Sequence, residues 1–290
     1  MKILLAVDGS EHSQAATSLL CDLPLPSESL ITPVSVLAPL RAYQQAELEY
    51  ALEQARLKLK SAGHEVTPEL LKGNPASEIV EFADQQGSDL IVLGAKGLRA
   101  TLGILLGGVA QHIVELANQP VLVVRAPYTK LQRLLLVIDG SIHSQGAIEF
   151  LARFPPSPKI KVKVMHVLPP PPTAELFAKF EMLNQYATVP SPAVEIEKAT
   201  SYDVKEKEYR ANIFLDKAID ALKSAGVKVS KVVQIGDAAS EIIEFADEHN
   251  IDIIIAGSRG LSQVRGFLLG SVSRKLVHYS GRSVLIVKGE

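Results

Sequence analysis

This chain repeats itself, and no other feature limits its possible folds as strongly. The run Lys2-Ile3-Leu4-Leu5-Ala6-Val7-Asp8-Gly9-Ser10 returns as Arg133-Leu134-Leu135-Leu136-Val137-Ile138-Asp139-Gly140-Ser141, an offset of 131 residues from Asp8 to Asp139. The segment Gly73 to Asp84 returns as Gly236 to Asp247 at an offset of 163, so the second copy carries 32 more residues between the two matches. Two matches in one order mark a duplicated unit, and each copy is long enough for its own core. The domains are placed at 1–127 and 131–290, joined through Ala126-Pro127-Tyr128-Thr129-Lys130. So short a linker implies that the copies pack together.

Within each copy, apolar runs of strand length alternate with helix-like stretches. The first copy reads as strands near 3–7, 31–37, 66–71, 90–93 and 120–124. The second reads as strands near 134–138, 160–167, 228–234, 252–256 and 283–287. Helices fall between them, with Ser10 as an N-cap and Gly63 closing a long helix over 42–62. Strands this apolar are buried on both faces. The fold class is therefore α/β: two tandem Rossmann-like domains, each a mainly parallel five-stranded sheet flanked by helices. The last strands, Val121 to Val124 and Val284 to Val287, would leave apolar edges exposed. They are expected to lie side by side and antiparallel about a pseudo-twofold axis, giving intramolecular pairing of the domains.

Composition narrows the function. A net charge of −2 with no Lys/Arg run gives no electrostatic footprint for nucleic acid or an anionic membrane. The single cysteine, Cys21, cannot form an internal disulfide and reads as a small buried hydrophobe. No apolar run approaches the ~20 residues of a membrane span, so no membrane association and a cytoplasmic location are expected. The extra segment of the second copy, about 169–203, opens with four prolines. A short helix over Thr173 to Ala187 could follow. The segment either packs against the other copy or a second chain, making a homodimer possible, or covers a ligand as a lid.

Gly257-Ser258-Arg259-Gly260, nine residues, then Gly270-Ser271-Val272-Ser273 follows a buried strand and opens a helix. Glycines admit close backbone approach, helix-start N–H groups and serine hydroxyls suit an anion, and Arg259 adds charge. The residues alone leave an anion site and a structural loop equally open. The spacing matches neither a Walker A loop nor a dinucleotide fingerprint.

With Asp8 and Asp139 closing the first strands, the chain resembles the universal stress protein family in its tandem form. The resemblance covers nearly everything outside the insertion. It implies an adenine nucleotide alpha hydrolase-like fold and ATP as ligand, with Mg2+ or Mn2+ accompanying its phosphates. It places Asp139 at the ribose or phosphates, with backbone contacts around Ile138, Gly140 and Ser141. Val167 would hold adenine through its backbone, and Gly257, Arg259, Gly260, Gly270, Ser271, Val272 and Ser273 would surround the phosphates. Read without a ligand, Asp139 caps a helix and Val167 is strand core.

The first copy departs from the pattern with Gly94-Ala95-Lys96-Gly97, nine residues, then Gly107-Gly108-Val109-Ala110. Both serine positions are lost, so Val7, Asp8, Gly9, Ser10, Val36, Gly94, Lys96, Gly97, Gly107 and Gly108 form an expected weaker site. No catalytic set stands out. His12 and His143 read as solvated helix-start residues or as general bases, while His112, His166 and His278 read as structural. The expected function is an ATP-binding stress-response regulatory or signalling protein. The alternatives are a slow ATPase and a protein-interaction module without nucleotide.

Overall fold

The computed structural model describes residues 1–39, 44–98, 105–170, 193–260 and 269–288. Among them the first half runs β1 (Lys2–Ala6), α1 (Glu11–Asp22), β2 (Leu30–Leu37), α2 (Gln45–Ser61), β3 (Glu65–Val66), β4 (Glu69–Lys72), α3 (Pro75–Gln86), β5 (Leu90–Gly94), α4 (Gly108–Leu116) and β6 (Val121–Val124). The second runs β7 (Arg133–Val137), α5 (Ile142–Arg153), β8 (Lys161–Leu168), α6 (Ala193–Ser224), β9 (Val229–Ile235), α7 (Ala238–Glu248), β10 (Ile253–Gly257), α8 (Ser271–Tyr279) and β11 (Ser283–Val287). The expected short helix over 173–187 lies outside the described residues. Helix α6 begins at Ala193, within the segment read as an insertion over about 169–203.

Local chemistry explains the boundaries. Ser10 caps α1 by accepting from Ser13 N–H at 3.2 Å, and Ser141 caps α5 by accepting from Ser144 N–H at 3.2 Å. Asn74 caps α3, with Pro75 in the first turn where its missing N–H costs nothing. Gly63 takes φ +90° just beyond α2, the left-handed turn expected of a helix-ending glycine.

The strands form one sheet in the order β3-β2-β1-β5-β6-β11-β10-β7-β8-β9, with β4 also on β2. Every pairing is parallel except β6 with β11, where Val123 lies opposite Val284 and Leu122 opposite Leu285. One residue-level difference separates the halves. The strand expected over 66–71 is two pieces, because Pro33 and Pro68 fall in the gap between the β2–β3 and β2–β4 ladders. Neither proline can donate to a ladder. Val164 and Lys231 hold the same repeat positions and pair without interruption, so β9 is continuous over seven residues.

Side chains alternate across the sheet as the pleat requires. Ile3, Leu5, Leu134 and Leu136 enter the core beneath α1, α2, α5 and α6, while Leu4 and Leu135 enter the core beneath α3, α4, α7 and α8. Both cores run without a break through β6 and β11. Cys21 is half-buried rather than inside, with its Sγ 3.9 Å from the Lys58 carbonyl of α2.

Candidate functional site

A parallel strand followed by a helix leaves a crevice beyond its C-terminal end. Each half has one, and the antiparallel β6–β11 seam puts the two on opposite rims of the sheet. In each, the turn after the first strand needs a left-handed residue, which Gly9 (φ +81°) and Gly140 (φ +80°) supply. Asp8 Oδ1 accepts from Ser10 N–H at 3.0 Å, and its Oδ2 accepts from Leu98 N–H at 3.2 Å. Asp139 Oδ1 accepts from Ser141 N–H at 3.0 Å. Helix capping, the role expected of Asp139 without a ligand, falls instead to Ser141, as it falls to the expected Ser10 in the first half. Asp8 ties its strand end to the glycine loop.

That tie explains the glycine spacing. A Cβ at Gly94 would stand 2.7 Å from the His12 carbonyl carbon, and one at Gly257 would stand 2.6 Å from that of His143. A Cβ at Gly97 or Gly260 would stand 2.7 Å from Oδ2 of Asp8 or Asp139. The first glycine of each motif therefore lets the helix cross the strand end, and the second admits the aspartate. The capping serines also reach the loops, with Ser10 Oγ donating to the Lys96 carbonyl at 3.1 Å and Ser141 Oγ to that of Arg259 at 3.4 Å.

The second crevice brings together Ile138, Asp139, Val167, Gly257, Arg259, Gly260, Gly270, Ser271, Val272 and Ser273. Two of these have their polar groups committed elsewhere. Ser273 is buried and donates its hydroxyl to the Gly257 carbonyl at 2.7 Å, so that proton secures α8 to β10 instead of facing a phosphate. Ile138 N–H donates to Met165 O at 2.9 Å, and its carbonyl takes Nδ1–H of His166 at 2.8 Å. Its backbone is thus part of the sheet's support. Ser271 and Arg259 remain exposed at the mouth. Val167, partly buried, both packs against the core and lines the crevice.

The first crevice holds Val7, Asp8, Ser10, Val36, Gly94, Lys96, Gly97, Gly107 and Gly108, but also Ala6, Val34, Leu93, Pro75 and Ile79 as floor and wall, and Gln44 and Glu47 at its mouth. It is the roomier of the two, about 370 Å³ against about 100 Å³. Several repeat positions at the two crevices differ. Ala6, Val34, Ser35, Gly108 and Ala110 stand where the second half has Val137, Met165, His166, Ser271 and Ser273. His166, read from the sequence as structural, shares one repeat position with Ser35, which sequence reasoning passed over. Ser35 Oγ donates to Val7 O at 2.6 Å as His166 does to Ile138 O, and the His166 ring meets Phe214 edge-on at 4.7 Å.

His12 is not a solvated helix-start residue. His12 Nδ1 accepts from Ala126 N–H at 2.9 Å, tying α1 to the linker. Burial, with Lys96 and Arg125 nearby, lowers its pKa, and burial and Arg259 lower that of His143. Among the described residues no three His, Cys, Asp or Glu side chains cluster as metal ligands, and no helix is long and apolar enough to cross a membrane.

Comparison with known proteins places the chain. The model of the universal stress protein family matches residues 1–125 and again 130–288. A universal stress protein of Mycolicibacterium smegmatis is 24% identical over 308 residues, covering 99% of this chain and 96% of that protein. A universal stress protein of Methanocaldococcus jannaschii is 42% identical over 81 residues, which are 28% of this chain and about half, 48%, of that protein. The crystal structure of a universal stress protein from Archaeoglobus fulgidus superposes over 100% of this chain and 98% of its own with a TM-score of 0.65 at 18% identity.

Proposed function

The chain belongs to the universal stress protein family, and on that premise we propose that it is an ATP-binding regulatory protein of a stress response whose second half holds the triphosphate. One observation carries the reading. Asp139, Gly257, Arg259, Gly260 and the open start of α8 border a single crevice at the strand ends. Gly270 caps α8 without a side-chain bond, leaving the first N–H groups for an anion. Arg259 supplies a charge-assisted donor and Ser271 a hydroxyl. A Cβ at Gly270 would stand 3.2 Å from the Arg259 backbone, so the loop lies close enough to cradle a ligand. Gly140 and Ser141 complete the turn beneath it. Asp139 would take the ribose or face a Mg2+ or Mn2+ ion held mainly by the phosphates.

The two halves act as one unit through β6 and β11, and a homodimer would add a second such unit. Mass analysis of nucleotide released by denaturing freshly purified protein tests the reading. Adenine nucleotide is expected, depleted in the Val167→Phe variant. Protein that carries none and binds none on titration overturns it.

A further inference from the structure

We propose that the first crevice is a site for a neutral nucleoside, distinct from the triphosphate site of the second half. The inference rests on the adenine-nucleotide reading for the base alone. Space comes first. At about 370 Å³ the first crevice falls within the range of built small-molecule sites. Its floor of Ala6, Val34, Val36 and Leu93 is apolar, suited to a flat ring.

Charge comes second. The described lining of the second crevice carries Asp139 against Arg259. That of the first carries Asp8 and Glu47 against Lys96, an excess of negative charge. Glu47 occupies the repeat position of Arg210, which in the second half is a surface residue bonded to Glu206 at 2.6 Å. One donor suited to phosphate is also gone. Helix α4 opens Gly108-Val109-Ala110, with Gly108 where α8 has the exposed Ser271 hydroxyl, while its start, capped by Gly107 without a side-chain bond, is as open as that of α8.

Donor and acceptor chemistry then selects the ligand. Both Asp8 oxygens already accept backbone N–H groups. Among the described residues Glu47 has no hydrogen-bond or ion-pair partner, and it is exposed at the crevice mouth, an acceptor with full capacity. A ribose offers hydroxyl donors to such a group, whereas a phosphate chain offers only acceptors and like charge.

Isothermal titration of the full chain with adenosine and with ATP tests this, using wild type, Val36→Phe, Val167→Phe and Glu47→Arg. Adenosine is expected at one site, at least about tenfold tighter there than ATP. Val36→Phe should abolish that binding, and Val167→Phe should spare it. Glu47→Arg changes an exposed residue and leaves the core intact. It should weaken adenosine by about tenfold and strengthen ATP in the same crevice. Adenosine that does not bind, that is lost with Val167→Phe instead, or that ignores Glu47→Arg overturns the inference. Adenosine held at the first crevice with ATP bound nowhere would sink the proposed function and leave this inference standing. ATP at the second crevice with no adenosine would do the reverse.

Discussion

Gly257 and Gly260 differ in what their missing side chains spare, and that separates their expected costs. At Gly257 a methyl would meet the His143 backbone at 2.6 Å, and backbone cannot swing aside. Gly257→Ala should cost about 1–3 kcal/mol of stability by urea denaturation. At Gly260 the obstacle is the Asp139 carboxylate, the mobile end of a side chain. Gly260→Ala should unfold at a midpoint closer to wild type while displacing Asp139 from the crevice. The two serines divide in a similar way. Ser273→Ala removes a buried hydrogen bond and should cost about 1 kcal/mol with ATP affinity nearly unchanged. Ser271→Ala should leave stability within about 0.5 kcal/mol and weaken ATP by about tenfold. Paired denaturation and titration would expose the opposite pattern and return the Ser273 hydroxyl to the phosphates.

Helix α1 is where an element couples packing to protonation. His12 sits under Gly94 and accepts the Ala126 N–H, so its Nδ1 must stay unprotonated for that bond to exist. Its folded pKa lies below the ordinary value of 6.5, from burial first and then from Lys96 and Arg125. The unfolded chain therefore binds more protons as the solution is acidified. The stability this residue contributes is whole above pH 6.5 and is lost as pH falls toward and through the lowered value. His143 and His278 are shifted the same way and should add to the slope. Chemical denaturation at pH 7.5 and pH 5 should show a fall in stability that His12→Gln makes shallower. An identical slope in the variant would place the titration elsewhere.

Across the whole molecule, two cations cross the seam between the halves. Arg125, 8% exposed, ends β6 and donates to the carbonyls of Leu105, Val277 and Arg282, two of them in the other half. Lys288, just past β11, returns the contact by donating to the Glu115 carbonyl at 3.2 Å. Val277 and Glu115 lie near the C-terminal ends of α8 and α4, where a cation also meets the negative end of the helix dipole. Burial and then Arg259 push the Lys288 ammonium down to about 8. Arg125→Met would strand three carbonyls and should cost about 2–4 kcal/mol. Thermal unfolding should then split into two transitions as the halves uncouple. A single transition at the wild-type midpoint would mean that the apolar β6–β11 contact suffices alone.

The duplication, the alternation of buried strands with helices, and the caps at Ser10 and Gly63 are all legible in the amino-acid order, because each depends on neighbours along the chain. The glycine motifs were legible as positions but not as causes. What Gly94 and Gly257 avoid is a helix about 80 or more residues earlier in sequence. The break between β3 and β4 needed register, since Pro33 and Pro68 matter only once they face the same gap. The Ser273 hydroxyl and the carbonyls around Arg125 could be assigned only with distant partners in place. So too could the relative size of the crevices. That depends on which strand-end and loop residues the fold brings to one lining. Local propensity determined the elements, and long-range juxtaposition decided which polar groups remained free to meet a ligand.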